Sequence, residues 1–314
     1  MSINQILFDE IAPEASPQGP TLPRDPAPPG AQELDARSWK ARLVKSSRYL
    51  LRHPGLALAI LFVVVVILSG FWPGLFTSQS PVAIHPNDLL KAPSWSHPFG
   101  TDALGRDMFS RLVHGSRLSL EGTGVAVAFA CVVGLLLGTL SGFFGGWVDA
   151  IIMRLIDVLL SIPALLFALT LVTALGFGEI QVAIAVGFGM CPGFARTTRS
   201  EVLRVRTLPY VEAARTGGAS WSRIMLRHVL PNSTGPVAAL AVLDIGTAVL
   251  VLSTLSFLGF GAPPPATDWG GIVSDGSQSL AIAPYLVLLP SLVICLWVFS
   301  ANHIGLTIRQ HQDR

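Results

Sequence analysis

Charge is what this chain has least of. Asp, Glu, Lys and Arg make up 13% of its 314 residues, against about 25% in an ordinary soluble domain. Hydrophobic residues make up 51% and the mean hydropathy is +0.59, which excludes a soluble domain of this length and makes the bilayer the expected solvent. A net charge of only +2 gives no nucleic-acid-binding surface, and the basic residues flank apolar runs instead of forming a solvated patch. The three cysteines, Cys131, Cys191 and Cys295, lie in apolar stretches with no C-x-x-C pair, so they read as packing residues. There is no G-x-x-x-x-G-K-[ST] phosphate loop, no H-E-x-x-H or Cys/His metal spacing and no nucleophile elbow. The chain is therefore expected to be no enzyme, with no catalytic or metal site and no cofactor of its own.

What the sequence does have is long apolar runs. A bilayer core takes about 20 apolar residues per helix, and on that ruler six spans are expected, at 56–72, 120–141, 150–175, 180–194, 237–260 and 284–303. Arg37, Lys40, Arg42, Lys45, Arg48 and Arg52 precede the first span, and Arg196, Arg199, Arg204, Arg206, Arg215, Arg223 and Arg227 lie between the fourth and fifth. By the positive-inside rule both segments face the cytoplasm, which puts both chain ends there. Residues 1–36 are Pro-rich and poor in large apolar groups, so a disordered cytoplasmic tail is expected, followed by a basic pre-membrane segment at 37–55. The first span follows a long polar stretch and reads as an anchor, not a cleaved signal peptide. The membrane domain is placed at 56–305 and a C-terminal cytoplasmic tail at 306–314.

The polar loop at 195–236 is the most informative segment. Thr207 is expected to cap a short helix with Pro209 in its first turn, and Gly217-Gly218 permit the left-handed turn that ends it. Ser220 is expected to cap a second helix, in which Trp221, Ile224, Met225, Leu226 and Val229 form an apolar face before Pro231 stops it. Helices this short do not persist alone in water, so they call for a partner surface. The pattern Tyr210-Val-Glu212-Ala213-Ala214, then Gly218, then Leu230-Pro231, resembles the cytoplasmic EAA loop of ABC importer permeases, with His228 standing where that family usually has Ile.

Two further motifs narrow the resemblance. The external segment (73–118) carries His97-Pro-Phe-Gly-Thr-Asp102-Ala-Leu-Gly-Arg106-Asp107-Met108-Phe-Ser-Arg111. It is similar to the F-G-T-D-x-x-G-R-D segment of the dipeptide/oligopeptide/nickel branch, in the shorter of its two paired permeases. Its charges are expected to cap and pair at the start of a helix lying on the outer membrane surface, with Leu104, Met108, Phe109 and Leu112 turned inward. Such a helix either shapes an outer gate or simply orders the loop. The run Leu255-Ser-Phe-Leu-Gly-Phe-Gly through Asp268-Trp269-Gly270 resembles the same branch's external loop (261–283), with Trp269 expected at the interface and Asp268 and Trp269 as gate residues.

Departures are also visible. Family members often have an acid where this chain has Leu252, and a Gly-Asp ending where it has Gly305-Leu. Asp244 lies about 10 Å up the fifth span. A carboxylate there costs about 2.5–3.5 kcal/mol, so it should face protein or water, as a pathway residue or in a hydrogen bond to a neighbouring helix. Asp157 and Arg154 are spaced to pair on one helix face, Gly134, Gly138 and Gly142 form a flat face for close packing, and Pro163 can kink the third span.

The resemblance implies an all-α type I ABC importer permease of six spans in a bacterial inner membrane. It also implies a longer homologous permease as heterodimer partner, two cytoplasmic ATPase subunits carrying ATP and Mg, an external substrate-binding protein and a peptide-like solute. Tyr210, Glu212, Ala213, Ala214, Gly218, Trp221, Ile224, Met225, Leu226, Leu230 and Pro231 would then couple to the ATPase. ATP-driven closure of the ATPase pair would carry the loop inward and turn the pore outward. Two other classes stay open on the residues alone: an ion-gradient transporter using Asp244 and Glu179, and a non-transporting membrane scaffold.

Overall fold

The computed structural model describes residues 53–312. The expected Pro-rich tail, nearly all of the basic pre-membrane segment and the last two residues of the C-terminal tail lie outside the described residues. Among the described residues no strand is formed. Helix α1 (Pro54–Phe71) opens with a proline in its first turn, where the missing N–H does no harm. Helix α2 (Met108–Phe144) begins at Asp107, whose carboxylate accepts from the Ser110 N–H at 2.7 Å, and ends at Gly145 with φ +66°.

At 37 residues, α2 is about 55 Å long and overshoots a bilayer core by several turns. The separate surface helix expected ahead of the second span is therefore this helix's own first turns. Met108 and Leu112 are buried as expected, whereas Leu104 precedes the helix and is exposed.

The third expected span is broken. Helices α3 (Gly146–Ser161) and α4 (Ala164–Leu175) meet at Pro163 with a bend of 97°, as its missing N–H and ring clash dictate. Helix α5 (Glu179–Val205) runs 11 residues past the expected fourth span. Short α6 (Pro209–Thr216) and α7 (Trp221–Ile224) form the loop, followed by a π turn (Met225–Val229), α8 (Leu230–Leu255), α9 (Trp269–Ser277) and α10 (Tyr285–Gln312). Among the described residues four helical stretches are long and apolar enough to cross a membrane, or five if the bent α3–α4 pair is counted as one span. Helix α5, at the fourth expected span, has the length but carries charge at both ends.

Three glycines position the centre. A methyl built on Gly134 would sit 2.3 Å from Phe194 Cβ, one on Gly138 would sit 2.4 Å from the Ala195 carbonyl oxygen, and one on Gly142 would sit 2.8 Å from Val202 Cγ1. The flat face thus closes α2 onto α5 within this chain. A second core gathers around Trp269 and Trp297, whose rings meet edge to face at 6.0 Å between α9 and α10.

Candidate coupling loop and outer segment

The loop between α5 and α8 is anchored from inside. Val211 of α6, Ile224 of α7 and Val229 of the π turn are all buried against Val202 and Val205 of α5. Gly218 has φ +78°, the left-handed turn expected of it, while Gly217 at φ −72° does not use that freedom. Thr207 is not the cap: α6 starts from Leu208, and the Thr207 hydroxyl donates to the Arg204 carbonyl instead. Ser220 stands at the N-cap of α7 but turns its hydroxyl to Ser222.

Pro231 does not stop the second helix. From Trp221 to Phe260 the chain runs as one 40-residue helical stretch. The π turn explains the continuity, with the Leu230 N–H reaching back to the Met225 carbonyl. Widening the backbone there leaves room for a proline ring that would clash with a carbonyl in a regular α-helix.

The coupling candidates divide by burial. Trp221 is 58% exposed, Leu226 59% and Tyr210 42%, and Glu212 and Ala213 are exposed beside them. Ile224, expected on the same docking face, is 3% exposed and belongs to the chain's own core. Ala214, Met225 and Leu230 are half-buried, and Pro231 is exposed. Trp221 leans on Phe144 at the end of α2 at 5.5 Å between ring centroids, and Tyr210 faces His228 at 6.4 Å.

Sequence reasoning missed two ties that hold this end of the molecule. Arg199 grips Asp149 through two hydrogen bonds of 2.6 Å, joining α5 to α3, and Arg206 donates to the Gly142 carbonyl at 2.8 Å. The only signal was their place at the borders of apolar runs. Asp157 pairs with Arg196 of α5 and not with Arg154, because the bend at Pro163 lays α3 across α5.

On the opposite side of the fold, the charges of the outer segment are spent on each other. Asp102 accepts from Arg106 at 2.7 Å and from Arg111 at 2.8 Å, while Arg111 also reaches Asp275 at 2.7 Å and Thr267 at 3.1 Å. Asp107 caps α2 and bonds His97 at 2.9 Å. Asp102, Asp107 and Arg111 are all buried. The cluster therefore ties the start of α2 to α9, 164 residues away. Trp269 is not interfacial. It is fully buried, with its indole N–H shared between the Leu112 carbonyl and the Ser116 hydroxyl, each at 3.3 Å.

Asp268 caps α9 through the Gly271 N–H at 2.8 Å and accepts from the Ser256 hydroxyl. Burial pushes its carboxyl above the usual carboxylate range, against the pull of those bonds. Asp244 is half-buried and makes no hydrogen bond among the described residues, so the expected bond to a neighbouring helix is not formed.

A multi-span helical protein with a polar helix–turn–helix loop standing off one end defines the class: the transmembrane subunit of a transporter. Residues 134–313 match the family described as "Binding-protein-dependent transport system inner membrane component". The chain belongs to that family and is an ABC importer permease subunit of the inner membrane.

It is 37% identical over 286 residues to the dipeptide transport system permease protein DppC of Alkalihalophilus pseudofirmus, covering 91% of this chain and 93% of that one. It is 37% identical to the glutathione transport system permease protein GsiD of Pectobacterium atrosepticum, covering 85% of this chain and 88% of that one. It is 40% identical to the probable D,D-dipeptide transport system permease protein DdpC of Escherichia coli K12, covering 81% and 85%. A solved chain of the inward-facing MetNI methionine ABC transporter shares the fold at TM-score 0.50 and 21% identity, covering 64% of this chain and 97% of that one. Importers of this family work with ATPase and substrate-binding partners.

Proposed function

We propose that this subunit forms half of the pore of an ATP-driven importer of di- or oligopeptides or similar small solutes, paired with a homologous longer permease. Solute arrives from an external binding protein. Two cytoplasmic ATPase subunits, carrying ATP and Mg, dock on the exposed face of Tyr210, Glu212, Trp221 and Leu226. The face is presented with its side chains outward because Val211, Ile224 and Val229 root it in the chain's own core, and this observation carries the reading. Both chain ends lie in the cytoplasm, and no covalent chemistry occurs on this chain. The peptide nature of the solute draws support from the relatives named for dipeptide, D,D-dipeptide and glutathione transport.

Coupling follows from the same geometry. Closure of the ATPase pair displaces α6 and α7, and α8 moves with them because no flexible joint separates it from α7. Glu212 anchors the loop by charge, and Gly218 supplies the turn between the helices. The test is to purify the tagged chain from its native membrane and identify its partners by mass spectrometry. Wild type is expected to bring ATPase subunits and a second permease. Glu212→Lys and Gly218→Asp are expected to insert normally, lose the ATPases and abolish ATP-dependent uptake. Unchanged uptake in both variants would sink the assignment.

A further inference from the structure

The residues of α5 that precede the coupling loop, those of α8 that follow it and the end of α10 line a cleft of about 830 Å³. Its two walls differ in chemistry. Along α5 it is lined by Arg196, Ser200 and Arg204, which recur every fourth residue on one helix face, and by Glu201, whose carboxylate Arg204 neutralises. Along α8 it is lined by Ala239, Leu240 and Leu243, and Arg309 of α10 completes the lining.

The cations are not equally committed. Arg204 is paired with Glu201 at 2.8 Å, and Arg196 with Asp157. Arg309 is exposed and has no acidic partner among the described residues. The Ser200 hydroxyl likewise makes no hydrogen bond among the described residues. A guanidinium from α10, a hydroxyl from α5 and the aliphatic side chains of α8 lining one cleft match a small molecule with a carboxylate at one end and an apolar body. The volume is within the range of small-molecule sites and ample for a short peptide.

We propose that this cleft is the inner binding site for the carboxylate end of the transported peptide, with Arg309 as its principal contact and Arg204 and Ser200 among the other residues that line it. The inference rests on the permease reading and adds to it the chemical group the inner side recognises. Because the walls are the two helices that enter and leave the coupling loop, displacement of the loop alters the cleft, so the site empties as the transporter resets. An anionic phospholipid headgroup has related chemistry and is the competing occupant.

The test uses the co-purified complex in nanodiscs of phosphatidylcholine alone, without nucleotide, titrated calorimetrically with dialanine and with dialanine C-terminal amide. The expected result is binding of the acid, with the amide weaker by roughly tenfold, the worth of a charge-assisted hydrogen bond. Arg309→Gln is expected to weaken the acid by a similar factor and leave the amide unchanged, and Arg309→Lys to recover most of the loss. A merely structural role for Arg309 would move acid and amide together. Equal affinities of acid and amide in wild type, or wild-type affinity in Arg309→Gln, would overturn the site. So would nanodiscs in which phosphatidylglycerol binds in an Arg309-dependent way while dialanine does not. Absence of ATPase subunits from the complex refutes the permease reading instead, and is read before any peptide is added.

Discussion

Trp221 and Ile224 are three residues apart on one short helix, yet truncating them should have opposite effects. Ile224 is 3% exposed, packed among Val202, Val205, Val211 and Val229, so Ile224→Ala removes buried methyl groups and leaves a cavity. Such a change costs about 2–5 kcal/mol, which at about 2–4 °C per kcal/mol lowers the unfolding midpoint of the purified chain by several degrees. Trp221 is 58% exposed and packs against the Phe144 ring. Trp221→Ala should therefore cost no more than about 1.5 kcal/mol of stability, the upper value for an aromatic pair. As the central aromatic of a docking face, however, its loss should weaken ATPase binding by about 2 kcal/mol or more, roughly thirtyfold. The assay is paired: thermal unfolding in detergent, and capture of ATPase subunits by the same preparation. Near-native melting with lost capture for Trp221→Ala, and depressed melting for Ile224→Ala, are expected. Full ATPase capture by Trp221→Ala, or a wild-type midpoint for Ile224→Ala, would refute the division of this helix into a rooted face and a docking face.

Three further outcomes follow from the packing. Gly138→Val places a side chain where even a methyl lies 2.4 Å from the Ala195 carbonyl oxygen, so α2 and α5 must separate, and a loss of about 1–3 kcal/mol is expected in thermal unfolding. Arg111→Met strips a buried cation from Asp102 and Asp275 and should cost about 3 kcal/mol, leaving the start of α2 and α9 open to limited proteolysis; resistance equal to wild type would contradict the cluster's role. For Asp268 the folded-state pKa lies above the unfolded one, so the fold favours the protonated acid. That stability is present below the ordinary carboxylate range and is lost as pH rises through the raised pKa. Asp268→Asn keeps a capping side chain and should flatten this dependence in pH-resolved melting curves, and Asp268→Ala, equally flat, should lie about 1 kcal/mol below Asp268→Asn.

Much of the helical framework is legible in hydropathy, because a bilayer leaves few ways to satisfy a backbone and apolar runs of this length become helices. The break at Pro163 and the turn at Gly218 are legible for local reasons, one in a missing N–H and the other in a positive φ. What escapes is decided by partners distant in sequence. The first turns of α2 look like an interfacial helix until Arg111 is seen to meet Asp275. Asp157 looks paired within its helix until the bend brings Arg196 to it. Trp269 has an amphipathic ring that suits an interface, but Leu112 and Ser116 satisfy its N–H in the interior. Pro231 reads as a stop only if the turn before it is a regular α-helix. The coupling pattern itself was visible as residues; which of them point outward was not, since burial of Ile224 depends on α5 lying behind it.

The fusion of α7 to α8 fixes an angular phase as well as a connection. Where a loop joins two helices, inserted or deleted residues are absorbed by slack. Along an unbroken helix each added residue turns everything beyond it by about 100°. The bearing of Trp221 relative to the membrane-facing sides of α8 is thus set by the number of residues between them, and the π turn at Met225–Val229, with its extra residue, is part of that count. Across the Gly217-Gly218 turn no such arithmetic applies. Length variation in this loop among relatives should accordingly gather on the α6 side, while the stretch from Trp221 into α8 keeps its residue number.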